Sequence, residues 1–519
     1  MKIFAAIDIG SYELAMKIFE ISKEGTVELD HIRYRLDLGS ETYARGKMGY
    51  EHVEELCRVL KDFTRVMKQY KVDAYKAYAT SAIRESRNAR IILDQIKQRT
   101  GLDVNILSNS EQRFLDYKSI ASRGKRFNNF IEKGTAIVDI GGGSIQISLF
   151  DKDTLVTTQN LRLGVLRLRE SLETIGAGPS RNPEILEELI DNQLSGFERI
   201  FLKNHEITNI IVVDDYVSGV LNRIDVQKGR LRKDDGRCPK SNEAVDIADL
   251  NTFLAALSRH TAQEVAGALN MSEENLRLLK ISGAIVSKIG RLLQAEKLWA
   301  PGVTLCDGIA YDYAEQNRLY HFSHDFEKDI VACAANTNKR YSGNKKRSEE
   351  LADIALRIFD AMKKVHGLSQ RQRLLLQIAA MMEECGKYIS LTMIGECSYQ
   401  IVMSTEIIGL SHQEREIVAN TIRYTHVDFG YYEEMKDSIA LDRDSYLCIA
   451  KLTAILRLAD GLIRSRSSKY TDFSPILKDG VLMLNVKTSG DLTVEKGTFH
   501  TKADFFEEVY SIRPEIRMI

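Results

Sequence analysis

Two segments of the chain carry the same arrangement of residues: Ala6-Ile7-Asp8-Ile9-Gly10-Ser11 and Ile137-Val138-Asp139-Ile140-Gly141-Gly142-Gly143-Ser144. In each, an apolar run reaches an aspartate, then one more apolar residue, glycine and a hydroxyl side chain. Glycine after a strand lets the chain bend sharply and leaves backbone N–H groups bare. Two such bends facing each other form a cradle for phosphate oxygens. Asp8 and Asp139, at the strand ends, stand where they could hold Mg²⁺ directly or through water. The plain alternative is a pair of tight turns between strands. One Asp-Ile-Gly arises easily by chance; two, about 130 residues apart and each ending a buried strand, point to a duplicated half-domain.

The elements that must position these residues follow from periodicity. Ile3–Ile9 is an apolar strand, and Leu14–Ile21 is its hairpin partner. Apolar residues at helical spacing predict a helix over Val53–Tyr70. A strand at Asp73–Ala79, a helix at Arg90–Thr100 stopped by Gly101, and a strand at Val104–Leu107 follow. A helix at Glu111–Ser122 and strands at Thr135–Ile140 and Ile145–Asp151 complete the series. Such alternation predicts an α/β domain with a mixed sheet. From about Ser323 the pattern turns helical, with Glu349–Lys364, Ser369–Glu384, His412–Thr425 and Tyr446–Arg464. The last stretch predicts a hairpin over Ile476–Val486 around Asp479-Gly480, a short strand at Leu492–Val494 and a closing helix near Phe505–Tyr510.

At 519 residues the chain exceeds one hydrophobic core, so three or four domains are expected. A net charge of −1 argues against a dedicated nucleic-acid binder. The lack of any long apolar run argues against a membrane span. The early Asp8 argues against a signal peptide. Seven scattered cysteines without C-x-x-C spacing fit reduced thiols in the cytoplasm, with neither a disulfide framework nor a zinc site. Three basic clusters could guide a polyanion: Lys228, Arg230, Arg232, Lys233, Arg237 and Lys240; Lys339, Arg340, Lys345, Lys346 and Arg347; and Arg464, Arg466 and Lys469. Each also reads as solvated surface.

The paired turns resemble the phosphate loops of the actin-like superfamily that includes sugar and acetate kinases. Within it, three further segments resemble the exopolyphosphatase/guanosine-pentaphosphate phosphatase family. They are Thr80-Ser81-Ala82-Ile83-Arg84-Glu85-Ser86-Arg87-Asn88, Ser108-Asn109-Ser110-Glu111-Gln112-Arg113, and Leu163-Gly164-Val165-Leu166-Arg167-Leu168, the last corresponding to a strand. Leu456-Arg457-Leu458-Ala459-Asp460 resembles the family's HD-related domain. The resemblance implies an α/β chain with two actin-like (ribonuclease H-like) lobes at 1–125 and 126–315. An all-α HD-related domain at 316–468 and a small C-terminal α/β domain at 469–519 would follow. It implies hydrolysis of the terminal phosphoanhydride of inorganic polyphosphate or guanosine pentaphosphate, with Mg²⁺, by a cytoplasmic homodimer. Gly10, Ser11, Gly141, Gly142, Gly143 and Ser144 would bind phosphate and Asp8 and Asp139 the metal. Arg84 would grip phosphate oxygens, since a guanidinium does so bidentately at any relevant pH.

The sequence departs from the family where catalysis is concerned. Gln112 stands in place of the water-activating glutamate, and Gln146 in place of a second glutamate. Glutamine keeps the shape but takes no proton, and losing a positioned general base typically costs about 10²- to 10⁴-fold in rate. Glu111, Asp116 or Glu13 could substitute. Asp116 lies one helical turn from Gln112 on the same face, whereas Glu111 points elsewhere. The glycine-rich turn expected after Ile210–Val213 reads Asp214-Asp215-Tyr216, and the Asp307-Gly308 turn lacks its arginine. In the helical part, Met381-Met382-Glu383-Glu384-Cys385-Gly386 occupies the His-Asp position and Ile463 stands where an aspartate would be. His412 and His426 remain, so no binuclear metal site is expected. Two readings stay open: a phosphohydrolase with weakened catalysis, and a catalytically inactive polyphosphate- or alarmone-binding sensor or scaffold. A kinase ranks last for want of an adenosine-site glycine pair.

Overall fold

Strand runs separated by glycine turns build two sheets of one design in a computed structural model of the chain. Residues 2–23, 25–176, 178, 181–202, 205–214, 216–221, 224–225, 230–231, 244–257, 259–435, 442–463, 470–488 and 490–518 are described. They pack as two units, Met1–Asp325 and Phe326–Ile519.

In the first unit, β1 (Lys2–Ile9), β2 (Glu13–Ser22), β3 (Gly25–Arg35), β4 (Ala74–Ala79) and β5 (Val104–Ile106) form a sheet in the order β3-β2-β1-β4-β5. The second sheet contains β6 (Thr135–Ile140), β7 (Ile145–Asp151), β8 (Thr154–Leu161) and β9 (Asn209–Val213). After the short pair β10 (Ile224–Asp225) and β11 (Arg230–Leu231), it is completed by β12 (Val245–Asp246) and β13 (Lys297–Trp299), in the order β12-β13-β9-β6-β7-β8. Read from β8, it repeats the first sheet and adds β12. Each sheet opens with two antiparallel hairpins and continues with parallel strands. The repeat is the duplicated half-domain expected from the two Asp-x-Gly turns and matches the pair of actin-like lobes that the resemblance implies.

The central strands are apolar throughout because both faces are covered. Ala5, Ile7 and Ile9 of β1 enter one core with Leu56, Leu60 and Phe63 of the Tyr50–Gln69 helix. Phe4 and Ala6 enter another with Leu115, Ile309 and Ala310, where Phe4 stacks on Tyr313 at 4.2 Å. Burying each large aliphatic side chain here contributes about 1.5–3 kcal/mol. Gly101 ends the Ala89–Thr100 helix in the left-handed region (φ 76°), which glycine reaches without strain.

Leu163–Leu168 corrects the expected strand. The chain leaves β8 at Leu161, and Val165–Ile175 is a helix. Its first N–H groups need acceptors and find them in the second turn: Val165 N donates to Gly141 O (3.1 Å) and Leu166 N to Gly142 O (3.0 Å).

The second unit holds the helices Phe326–Arg340, Lys345–Ala361, Gln370–Met382, Ile394–Ser404, His412–His426 and Arg443–Leu462. A sheet follows of β14 (Tyr470–Lys478), β15 (Val481–Thr488) and β16 (Arg513–Met518). Asp479 (φ 51°) and Gly480 (φ 75°) make the two-residue turn of the β14–β15 hairpin. The expected strand at Leu492–Val494 is instead the start of the Thr493–Tyr510 helix, which carries the chain to β16, parallel to β15. That helix lies against Arg443–Leu462, where Tyr510 Oη donates to Lys451 O at 2.9 Å. Among the described residues no helix is long and apolar enough to cross a membrane.

Candidate active-site cleft

A cleft of about 490 Å³ opens between the two lobes of the first unit, and both glycine turns line it. They are built alike. Gly10 N donates to Glu13 O at 3.0 Å, and Gly141 N to Ser144 O at 3.0 Å, each closing a hairpin. The turns meet edge to edge: a methyl group on Gly142 would lie 3.0 Å from the Ser11 Cβ and 2.9 Å from Leu166 Cδ1. On Gly164, stacked behind, it would overlap the Gly142 backbone. A Cβ at either position would force the turns apart.

Across this junction the hydroxyls of Ser11, Tyr43 and Ser81 form a closed triangle, with separations of 2.8, 2.8 and 2.9 Å. Tyr43 is contributed by the Leu38–Arg45 helix and Ser81 by the segment after β4. Burial raises the Tyr43 phenol above its ordinary pKa, so it stays protonated as a donor. Arg167 lies over the Tyr43 ring (4.6 Å), donates to Gly143 O (2.9 Å) and pairs with Glu85 (2.7 Å).

Carboxylates dominate the walls. Asp8, Glu13, Glu28, Asp116, Asp139 and Asp214 line the cleft, against the fixed cations Lys17 and Arg33. Glu13 pairs with Arg33, while Lys17, nearly buried, bridges Glu28 and Asp307 at 2.9 Å each. Burial alone would lower the Lys17 pKa, but Asp307 and Glu28 outweigh it and raise it. Burial, with Lys17 and Arg33 nearby, lowers His31. Asp214, which follows β9, accepts from the N–H groups of Val217 (2.8 Å) and Ser218 (2.7 Å) and from Ser282 Oγ (2.6 Å). It caps the helix Val217–Leu221 with its own carboxylate.

Of the expected site residues, Asp8, Asp139, Gly10, Ser11, Gly141, Gly142 and Gln112 come together along this cleft, whereas Gly143, Ser144, Arg84, Glu111 and Gln146 are not in its lining. Arg84 Nη1 donates to Leu107 O (2.7 Å) and reaches Gln112 Oε1 (3.5 Å), so it stands behind Gln112. Glu111 Oε2 accepts from Ser108 N at 2.9 Å in the capping box that starts the Asn109–Ala121 helix. Gln146 faces Asp139 across the β6–β7 register but is buried, its Oε1 accepting from Arg113 Nε at 2.8 Å. The structure also brings in Thr80 and Ser81, the first residues of the Thr80–Asn88 motif, and Lys17, Glu28, His31 and Arg33, which the motifs did not mark.

The second unit holds a different charged pocket, of about 270 Å³. Arg347 is its centre. Its guanidinium meets Asp460 (2.8 Å), Glu384 (2.8 Å) and Glu383 (3.6 Å) and donates to Ile463 O (2.6 Å). Glu383 also holds His426 Nε2 at 2.8 Å, Lys387 pairs with Glu384, and Lys502 lies 3.3 Å from Asp460. Burial pulls His426 down, but the Glu383 carboxylate outweighs it and raises the imidazole above its ordinary pKa. Among the described residues no group of three or more His, Cys, Asp or Glu is arranged to hold a metal. Of the expected basic cluster over 338–347, Arg347 turns into this cage, while Lys339, Lys345 and Lys346 are exposed. Lys228, Arg232, Lys233, Arg237, Lys240, Arg464, Arg466, Lys469, Asp215 and the Arg230 side chain lie outside the described residues. His412 is exposed.

Known proteins share this architecture. A crystal structure of an exopolyphosphatase from Cytophaga hutchinsonii superposes with a TM-score of 0.53 at 17% identity, over 61% of this chain and 98% of that one. A guanosine-5'-triphosphate,3'-diphosphate pyrophosphatase of Aliivibrio fischeri (strain MJ11) is 19% identical over 512 residues, 95% of each protein. A bifunctional 3-dehydroquinate synthase/phosphatase of Fusobacterium nucleatum is 23% identical over 177 residues, and the chain spans only 26% of that protein. The profile of the Ppx/GppA phosphatase family matches residues 18–317, and that of Ppx/GppA phosphatase domain III matches 331–499. With both lobes and the helical unit accounted for, the chain belongs to the Ppx/GppA phosphatase family.

Proposed function

We propose that the chain hydrolyses the terminal phosphoanhydride bond of inorganic polyphosphate or of guanosine pentaphosphate, with Mg²⁺. The observation that carries this reading is the meeting of the two glycine turns in a cleft that also holds Asp8 and Asp139. Mg²⁺ keeps several waters and takes one or two carboxylates together with substrate phosphates. Two aspartates at the ends of neighbouring turns fit that demand. Mg²⁺ bound there would neutralise charge on the phosphoryl oxygens. The chain's own part is positioning: the turns and the Ser11–Tyr43–Ser81 hydroxyls hold the terminal phosphoryl while charge spreads over its oxygens. The acidic walls repel a bare polyanion, so the substrate enters as its metal complex.

The helical unit, on this reading, is an HD-related scaffold in which the Arg347 guanidinium takes the place of a metal. The protein acts in the cytoplasm as a homodimer. The second reading, a binding-only sensor of polyphosphate or alarmone, is favoured by Gln112 and by the burial of Gln146 on Arg113. Phosphate release from polyphosphate and from guanosine pentaphosphate with Mg²⁺ separates the two. Turnover near 1 s⁻¹ or faster lies in the ordinary enzyme range and removes the sensor. Tight binding without release removes the phosphatase.

A further inference from the structure

The second unit carries a surface that takes part in neither the cleft nor the cage. Between the short helical turn Cys385–Tyr388 and the Ile394–Ser404 helix, the chain reads Lys387-Tyr388-Ile389-Ser390-Leu391-Thr392-Met393. Tyr388, Ile389, Leu391 and Met393 are 64%, 60%, 78% and 55% exposed. A single exposed leucine is ordinary, but four large apolar side chains within six residues make a patch. The loop is tied down by its own backbone. Ile389 N and Ser390 N both donate to Gly386 O (3.0 and 3.1 Å), and Ser390 Oγ accepts from Met393 N at 3.2 Å. Gly386 is wedged in turn, since a methyl group there would lie 2.3 Å from Ile394 O. The apolar side chains are thus held outward, with less backbone entropy to lose on docking.

Beside this loop lies the turn between the Phe326–Arg340 and Lys345–Ala361 helices, where the Tyr341 ring meets that of Tyr388 edge-on at 5.8 Å. Residues 339–346 and 387–393 contain Lys339, Arg340, Lys345, Lys346 and Lys387 and no acid. Lys339, Lys345 and Lys346 are exposed. Against these cations, Glu349 lies 3.7 Å from Lys345, and Glu384 bonds Lys387. Lys345 and Lys346 open the first turn of their helix, where the macrodipole favours acids. Helix stability gains nothing from that placement, whereas attraction for an anionic surface does.

We infer that this loop docks the second unit on an anionic lipid surface, its apolar side chains seated among the headgroups and its lysines on lipid phosphates. Such binding is peripheral and needs no spanning helix. A second copy of the chain, related by a twofold axis, would set the same lysines against each other. Polyphosphate or nucleic acid would engage the lysines and leave Ile389, Leu391 and Met393 in water. A peptide groove buries its lining, whereas these side chains stand out.

The test is co-sedimentation of the full chain with vesicles of phosphatidylcholine alone and of phosphatidylcholine with phosphatidylglycerol. The chain should pellet with the anionic vesicles and stay in solution with the zwitterionic ones. Ile389→Asp with Leu391→Asp should weaken binding at least about tenfold, because two aliphatic contacts with the lipid are lost. Lys339→Glu with Lys346→Glu should weaken it by a similar factor. Raising salt from about 0.1 M to about 1 M shrinks the screening length from about 10 Å to about 3 Å and should release the wild type. All four positions are exposed, so the melting temperature should not move. Leu391→Trp should still bind, and its added fluorescence should shift to the blue on the vesicles while the buried Trp299 stays silent. A wild type that ignores anionic vesicles overturns the inference, and so does an Asp double variant that binds them within about threefold of wild type. A wild-type dimer that Leu391→Asp dissolves, with no vesicle binding, overturns it in favour of a second copy.

Discussion

The cleft of the first unit and the cage of the second are both lined with charge, but the charge is arranged in opposite ways. In the cage, three carboxylates surround Arg347, and Lys387, Lys502 and His426 close the circuit. In the cleft, six carboxylates face two fixed cations, and the glycine turns add backbone in place of side chains. A compensated cluster holds a fold together, although its desolvation offsets much of its attraction. A cavity in which carboxylates outnumber cations raises the cost of keeping each of them charged. The contrast separates framework from function within one chain.

Breaking the cleft should cost activity and spare stability. Asp8→Asn with Asp139→Asn should abolish detectable Mg²⁺-dependent phosphate release, each single change costing about 10²- to 10³-fold. The melting temperature should hold or rise, since like charges are removed. A fall of several degrees would place these aspartates in the framework. Breaking the cage should do the reverse. Arg347→Ala removes the cation shared by Glu383, Glu384 and Asp460, leaving His426, Lys387 and Lys502 as their partners, and should cost about 3–5 kcal/mol in urea unfolding of the second unit; a change under 1 kcal/mol would mean the cage is ornamental.

The junction of the turns tests a subtler point. Gly164→Ala presses a methyl group into the Gly142 backbone and should destabilise the first unit by about 1–3 kcal/mol while weakening phosphate binding. Equal binding at reduced stability would show that the cradle does not need the turns in contact. The smallest effect is the pH response of the cage. His426 is raised in the folded state, so its contribution is complete below its ordinary value of 6.5 and is lost as pH rises through the higher folded value. Thermal midpoints should fall by a few degrees, about 2–4 °C per kcal/mol lost, as pH rises from 6.5. His426→Gln should flatten that slope.

The two lobes were legible in the sequence because Asp8 and Asp139 end runs that are apolar on both faces, a signal that survives without context. The edge strand β3 was not. Its Glu28, Asp30, His31 and Arg33 give it the polar look of a loop, yet pairing with β2 makes it a strand and sets three of those residues in the cleft. Charged edge strands are a recurring protection against unwanted pairing, and they hide from periodicity. Leu163–Leu168 failed for another reason. Its apolar spacing suits either state, and only the turn carbonyls waiting for donors make it a helix. The loss of the family's glutamates was legible only through the resemblance of the motifs around Gln112 and Gln146, but that Arg113 had taken up Gln146, and that Arg347 had turned inward, required coordinates.

Asp214 carries a last consequence. The amides of Val217 and Ser218 would welcome any passing anion, and the chain has already supplied one, tethered a few residues away. A free nucleotide phosphate arriving there would have to outbid a competitor that cannot diffuse off and whose local concentration far exceeds any solute's. On the proposed reading, a ligand anchored through a phosphate terminus at the paired turns would escape that contest, while one that depended on a second phosphate grip after β9 would not.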